Sequence, residues 1–215
     1  MDITTHELKV ERTARVLVRG DAKAARETWI LLHGYAQRAD ELLEACTPLA
    51  SSARVLVAPE ALSRFYRRGS SGPIGASWMT REAREAEIAD YLAYLDRVAA
   101  WSAQELAAPR SITVLGYSQG AATAWRWAAL GATSIGRLIT WGGGLPHDVE
   151  LGAARAKLAK TRLEIVRGAR DLYHSSDVLA QSVQRLASAG LHARVLEFEG
   201  AHELAPAVLE QLSRA

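Results

Sequence analysis

Cysteine is nearly absent from this chain of 215 residues: Cys46 stands alone. One thiol excludes an intrachain disulfide framework and a zinc site built from cysteines, and it fits a reducing compartment. A charge excess is also missing. Lys and Arg number 26 and Asp and Glu 24, for a formal charge of +2, so nothing in the balance calls for a nucleic-acid partner. No apolar run approaches the roughly 20 residues of a membrane helix. The opening MDITTHELKV lacks the basic-then-apolar pattern of a secretory signal. Stable membrane insertion is therefore not expected, and a cytoplasmic location is. Lysine is scarce, with 4 against 22 arginines. The arginines are spread along the whole chain and read as a composition bias.

Repeats, low-complexity tracts and linkers are absent too, so residues 1–215 read as one domain. The composition, 49% hydrophobic and 23% charged, is that of an ordinary globular protein able to bury a core. Residues 5–19 suggest two short strands, through Leu8 and Val10 and then Val16–Val18. TWILLHG (28–34), RVLVAP (54–59), SITVLGY (111–117), IGRLITW (135–141), TRLEIVRG (161–168) and HARVLEFEG (192–200) are short apolar runs ended by Gly, Pro or a turn. Such runs suit strands covered on both faces. Helices are expected over 38–50, 80–106, 119–130, 175–189 and 203–213. In the second of these, Ile88, Tyr91, Leu92, Leu95, Val98 and Ala99 share one face, with Thr80 as the expected N-cap. Residues 60–77, rich in glycine, read as a long loop. Strands alternating with helices predict an α/β fold with a mostly parallel sheet of about seven to eight strands.

One motif carries most of the chemistry. Gly116-Tyr117-Ser118-Gln119-Gly120 lies between the apolar strand ITVL and the helix former AATAWRWAAL. This is a G-x-S-x-G nucleophile elbow in the strand–turn–helix context it requires. Glycines let the turn close around an exposed serine, and the following helix directs free N–H groups at the place where an oxyanion forms.

A serine hydroxyl needs a base, and the base needs an orienting acid. On this elbow the acid and then the histidine follow the serine. His6 and His33 precede it. His192 opens a strand, and His147 and His174 come too early to leave an acid-bearing strand end between them and Ser118. His202 follows the last apolar strand, at the edge of the sheet where doubly wound folds place their sites. Asp171, in GARDLYH after the preceding strand, is the expected acid, with Asp148 and Asp177 as rivals. His174, close to Asp171, is expected on the rim.

The second oxyanion donor should lie after an earlier strand, and LLHGYAQ (31–37) fits. The amides of Tyr35 and Gln119 would then flank a carbonyl oxygen. The 60–77 segment mixes Phe65, Tyr66 and Trp78 with Arg64, Arg67 and Arg68. It reads equally as a flap over the site or as an ordinary surface loop. Trp125 and Trp127 read as packing residues.

These segments together resemble a known family. LHGYAQ, GYSQG, WGGGLP (141–146), GARD (168–171) and GAHE (200–203) are similar to the α/β-hydrolase superfamily, most of all its phospholipase/carboxylesterase branch of acyl-protein-thioesterase-like proteins. The resemblance runs from about Thr28 to the end, with the motifs in matching order. It implies an α/β-hydrolase fold, and 215 residues barely exceed what the core sheet and helices require, so no separate cap domain is expected. It also implies an ester or thioester hydrolase using Ser118, Asp171 and His202, with oxyanion donors Tyr35 and Gln119, no metal and no cofactor. Three departures stand out: Tyr35-Ala36 where a leucine and a glycine are common, Trp141 where a small serine is usual, and Leu172 where a proline often follows the aspartate.

The sequence thus predicts a serine hydrolase that cleaves small carboxylic esters or thioesters through an acyl-Ser118 intermediate, as a monomer or homodimer. Phe65, Trp78 and Trp141 are the expected substrate contacts. Trp141 has two readings, a wall that shortens the acyl pocket or a core residue. Rival functions are acyl transfer to another acceptor, peptidase-like hydrolysis, or a non-catalytic binding module on the same fold.

Overall fold

The computed structural model describes residues 2–106 and 111–214. Seven strands form one sheet in the order β1-β3-β2-β6-β7-β8-β9. They are β1 (Val16–Arg19), β2 (Glu27–Leu32), β3 (Arg54–Pro59), β6 (Ile112–Tyr117), β7 (Arg137–Trp141), β8 (Arg162–Gly168) and β9 (Ala193–Phe198). β1 runs antiparallel to β3 and every other pairing is parallel. A separate hairpin, β4 (Ser63–Arg68) and β5 (Ser71–Ser77), stands apart from it.

The apolar runs form central strands because both sides of each are covered. Within β2, Trp29 and Leu31 face one layer and Ile30 and Leu32 the other, all fully buried. On the first face, Trp29, Leu56, Leu115, Ile139, Trp141 and Val166 pack with α1 (Ala39–Ala45) and α6 (Pro206–Ser213) through Leu42, Leu209 and Leu212. On the second, Ile30, Val57, Val114, Leu138 and Ile165 meet α2 (Arg84–Glu105), α3 (Gln119–Leu130), α4 (Leu151–Leu158) and α5 (Ser176–Ser188). Trp125 and Trp127 of α3 are fully buried in that layer. Cys46 is buried beside α1, and burial pushes its thiol up to about 12. No helix among the described residues is long and apolar enough to cross a membrane.

Four expectations are corrected. The first of the two strands expected over 5–19 does not form, and Leu8 and Val10 stand 86% and 82% exposed. In sequence they stand among His6, Glu7, Lys9, Glu11 and Arg12, and among the described residues neither belongs to a strand. Residues 60–77 are a hairpin, not a loop. Its turn uses Gly69 at φ 56, and Gly72 at φ 94 opens β5; the arginine-bearing β4 and the glycine-bearing β5 lack the apolar alternation that marks a half-buried strand. Helix α2 starts at Arg84, with Ala83 at φ 45 as its cap, while Thr80 hydrogen-bonds Glu87 through its amide. Helix α4 was not anticipated, although Leu151, Ala154 and Leu158 give it a buried stripe.

Trp141 takes the core reading. It is 1% exposed, its indole N–H donates to the Glu203 carbonyl at 2.8 Å, and its ring meets Phe198 edge-on at 5.5 Å. Trp141→Ala is expected to cost about 3–5 kcal/mol in denaturant unfolding and to leave the acyl-length profile of any esterase activity unchanged. A longer accepted chain at unaltered stability would return Trp141 to the pocket wall.

Candidate active site

The strand ends converge. β2, β6, β7, β8 and β9 all finish on the same edge of the sheet, where parallel α/β folds gather their functional loops. At the end of β6 the chain turns sharply into α3. Ser118, at the corner, has φ 56 and ψ −117, a conformation that strains an L-residue. The two flanking glycines make the turn possible. A Cβ on Gly116 would lie 2.2 Å from the Gly120 carbonyl oxygen, and one on Gly120 would lie 2.0 Å from that of Leu32. The corner is pinned by Ser118 N–H donating to the Trp141 carbonyl at 2.8 Å and by the Ser118 carbonyl accepting from Ala121 at 2.9 Å.

Ser118 Oγ is 2.9 Å from His202 Nε2, and His202 Nδ1 is 2.8 Å from Asp171 Oδ2. The structure thus brings together the three residues the motif and chain order selected. An ionised carboxylate only accepts, so Nδ1 carries the proton and Nε2 is left to accept from the serine hydroxyl. Burial opposes charge on Asp171. The hydrogen bonds from His202 and from the His174 and Tyr173 amides outweigh it and hold the carboxyl below its ordinary value. Tyr117 adds support by donating its hydroxyl to the His202 carbonyl at 2.8 Å. Gly142, at φ 64, gives the imidazole room: a Cβ there would sit 2.9 Å from His202 Cε1.

The rival acids lie elsewhere. Asp148 is held by Arg126 at 2.9 and 3.0 Å and by Arg84 at 3.0 Å. Asp177 is exposed in the first turn of α5. His174, expected on the rim, is fully buried. Its amide donates to Asp171 Oδ1 at 2.9 Å, and burial pushes its ring pKa down.

The loop after β2 lies against the serine. A Cβ on Gly34 would come 3.2 Å from Ser118 Cβ. His33, set aside by chain order, builds this loop. It is fully buried, its Nε2 accepts from the Ala61 amide at 3.0 Å, and its Nδ1 therefore donates to the Gly34 carbonyl at 2.8 Å. Burial lowers its pKa and keeps it neutral. Gln37 Oε1 accepts from the Gly34 amide at 3.0 Å. Ala36, at φ 59, donates to the Ala76 carbonyl at 2.9 Å, so β5 docks directly on the loop. Among the described residues, the amides of Tyr35 and Gln119 donate no hydrogen bond.

The Gln119 side chain laces the elbow to the end of the hairpin. Its Nε2 donates to Ser77 Oγ at 3.0 Å and to the Met79 carbonyl at 2.9 Å, and its Oε1 accepts from the Trp78 amide at 3.1 Å. Trp78 does not face the cleft: it is 3% exposed and donates its indole N–H to the His33 carbonyl at 2.8 Å. Phe65 does lie at the loop, with its ring 5.4 Å from that of Tyr35, which is 61% exposed. Neither His33 nor Gln37 carried a sequence signal, because their partners are backbone groups brought near only by the fold. Among the described residues, no three His, Cys, Asp or Glu side chains are placed to hold a metal ion.

The Asp148 pairing has a pH signature. Burial works against its charge, but the bonds from Arg126 and Arg84 depress its carboxyl to about 2. A depressed carboxyl stabilises the fold above its unfolded pKa, near 3.9, and that contribution fades as pH falls towards 2. Asp148→Asn is therefore expected to lower the melting temperature at pH 6, with the gap to wild type closing between pH 4 and 2. A gap independent of pH would contradict the pairing.

No family model matches the chain, and no curated protein matches it by sequence. Solved structures do. A carboxylesterase from Mesorhizobium loti superposes with a TM-score of 0.75 at 20% identity, over 94% of both chains. Acyl-protein thioesterase 2 of Zea mays gives 0.74 at 18% identity, over 94% of this chain and 97% of the other. The Bacillus cereus carboxylesterase gives 0.71 at 15% identity, over 94% and 92%. At these identities the likeness establishes architecture, and this chain has the α/β-hydrolase fold those enzymes share.

Proposed function

We propose that this protein is a serine hydrolase of carboxylic esters or thioesters, working through an acyl-Ser118 intermediate. The observation that carries the proposal is the unbroken relay from Ser118 Oγ to His202 Nε2 at 2.9 Å and from Nδ1 to Asp171 at 2.8 Å. The carboxylesterases and acyl-protein thioesterase of like fold support the reaction class.

In the first half-reaction, Ser118 Oγ bonds to the substrate carbonyl carbon while its proton passes to His202 Nε2. The bond from that carbon to the departing oxygen or sulfur then breaks, and His202 hands the proton to the departing atom. In the second half, water gives its proton to the same nitrogen and attacks the acyl carbon, and Ser118 leaves with the proton returned. Asp171 keeps Nε2 the accepting nitrogen and stabilises the imidazolium. The unengaged amides of Tyr35 and Gln119 suit the negative charge that grows on the carbonyl oxygen, and the positive end of the α3 dipole favours the same charge.

Ser118→Ala is expected to abolish fluorophosphonate labelling and to cut ester hydrolysis by about 10⁴–10⁶ with little change in melting temperature. Activity within tenfold of wild type would remove the assignment. Asp171→Asn should cost far more activity than Asp148→Asn or Asp177→Asn, as measured by kcat/KM on p-nitrophenyl acetate. Gly142→Ala forces the His202 ring to move, and displacement on the scale of 1 Å costs about a hundredfold in rate. That loss should appear in kcat/KM while the chain remains folded by circular dichroism.

A further inference from the structure

The turn after β8 places two large apolar side chains in water. Leu172 is 92% exposed and Tyr173 82%. The backbone beneath them is fastened at several points. Asp171 Oδ1 accepts from the Tyr173 amide at 2.8 Å and the His174 amide at 2.9 Å. Asp171 N–H donates to the Gly168 carbonyl at 3.0 Å, Arg167 Nε donates to the His174 carbonyl at 2.7 Å, and the His174 ring is fully buried. The two side chains are therefore held out by a fixed turn. The charged neighbours Arg170 and Glu199 pair with each other at 3.1 Å. A fastened turn that holds two adjacent apolar side chains in water offers a small apolar surface that a ligand can cover.

Its position says by what. The Tyr173 ring lies 4.9 Å from the His202 imidazole, inclined by 55°. On the reading that His202 protonates the leaving atom, the departing alcohol or thiol must lie where Nε2 can reach it. A side chain packed on that imidazole borders the departing group. The other exposed aromatic lip, Tyr35 with Phe65, sits on the oxyanion side of the serine.

We propose that Leu172 and Tyr173 receive the leaving group of the substrate, and that this group is apolar: a long-chain or aromatic alcohol or thiol. Specificity on this face is then exercised on the departing side of the ester. The surface is open, so each methylene is only partly covered and contributes less than the roughly fourfold of full burial.

The test uses the full chain and two substrate series. Alkyl acetates from ethyl to octyl, followed by acid release, vary the alcohol at fixed acyl group. p-Nitrophenyl esters from C2 to C12 vary the acyl group at fixed leaving group. Wild type is expected to favour octyl over ethyl acetate by about tenfold or more in kcat/KM. Leu172→Ala/Tyr173→Ala should reduce that ratio at least fivefold, Tyr173→Phe should keep it, and the shape of the acyl series should be the same in all forms. A flat alcohol series in wild type would overturn the proposal. So would an equal loss across that series, or an effect confined to acyl length. A protein that takes fluorophosphonate on Ser118 yet shows a flat alcohol series defeats this inference alone. One that neither labels nor hydrolyses any ester defeats the hydrolase reading and this inference with it.

Discussion

The backbone corner at Ser118 is the constraint on which the rest of the site depends. A non-glycine residue at φ 56 and ψ −117 is unfavourable by about 1–3 kcal/mol and persists only where its surroundings leave no alternative. Here they leave none. The turn is wedged between β2 and β7: Gly120 lies against the Leu32 and His33 carbonyls, and Gly143 against Ser118, where a Cβ would come 2.7 Å from the Ser118 carbonyl oxygen. A parallel sheet with a well-packed α3 supplies the force that holds the corner. In return, the corner raises the hydroxyl towards the ends of β8 and β9, where its partners arise.

The opposite end of the sheet stabilises the histidine loop from a distance. Glu164 is fully buried, with Arg137 at 2.7 Å and Arg162 at 2.9 Å. Arg137 and Arg54 lie over the Trp29 ring at 5.4 and 4.7 Å. These two arginines also reach the last turn of α6: Arg137 donates to the Leu212 carbonyl at 3.0 Å and Arg54 to the Ser213 carbonyl at 2.9 Å. Cations there satisfy orphan carbonyls and oppose the negative end of the helix dipole. α6 begins at Pro206, shortly after His202, so the segment that carries the histidine is anchored on the sheet at its far end. Some of the arginine excess therefore has defined structural work, and the planar guanidinium suits it better than an ammonium would.

The central strands were legible because burial on both faces leaves an apolar run no helix period explains. Ser118 was legible because its turn demands glycine on both sides, and chain order then reduced six histidines to His202. Other features were hidden for physical reasons. The β4–β5 hairpin is held by its own backbone pairing and by one backbone bond from Ala36, and neither leaves a pattern in side-chain hydropathy. His33 orients the second loop through backbone groups of Gly34 and Ala61, which lie 1 and 28 residues away. Trp78 and Trp141 looked like substrate contacts because large aromatics near strand ends suit both a pocket and a core. Their indole N–H groups, bonded to the His33 and Glu203 carbonyls, decide for the core.

The aspartate loop is held without a ring constraint after the acid. Leu172 follows Asp171 and leaves φ free. The stiffness comes from the carboxylate itself. Asp171 Oδ1 is occupied by two amides of its own turn, so only Oδ2 faces His202. Twisting the carboxylate out of its plane would strain all three of these hydrogen bonds at once. The acid is therefore locked in the orientation that fixes the imidazole tautomer, without a ring constraint in the backbone. The same two bonds close the turn that projects Leu172 and Tyr173. The carboxylate that orients the His202 imidazole also sets the surface beside it, so a substitution at Asp171 disturbs the imidazole contact and the neighbouring turn together. Asn, which still accepts from both amides through its side-chain oxygen, keeps the turn and removes the charge. Ala removes both, and the difference between the two variants measures how much of the aspartate's contribution is scaffolding.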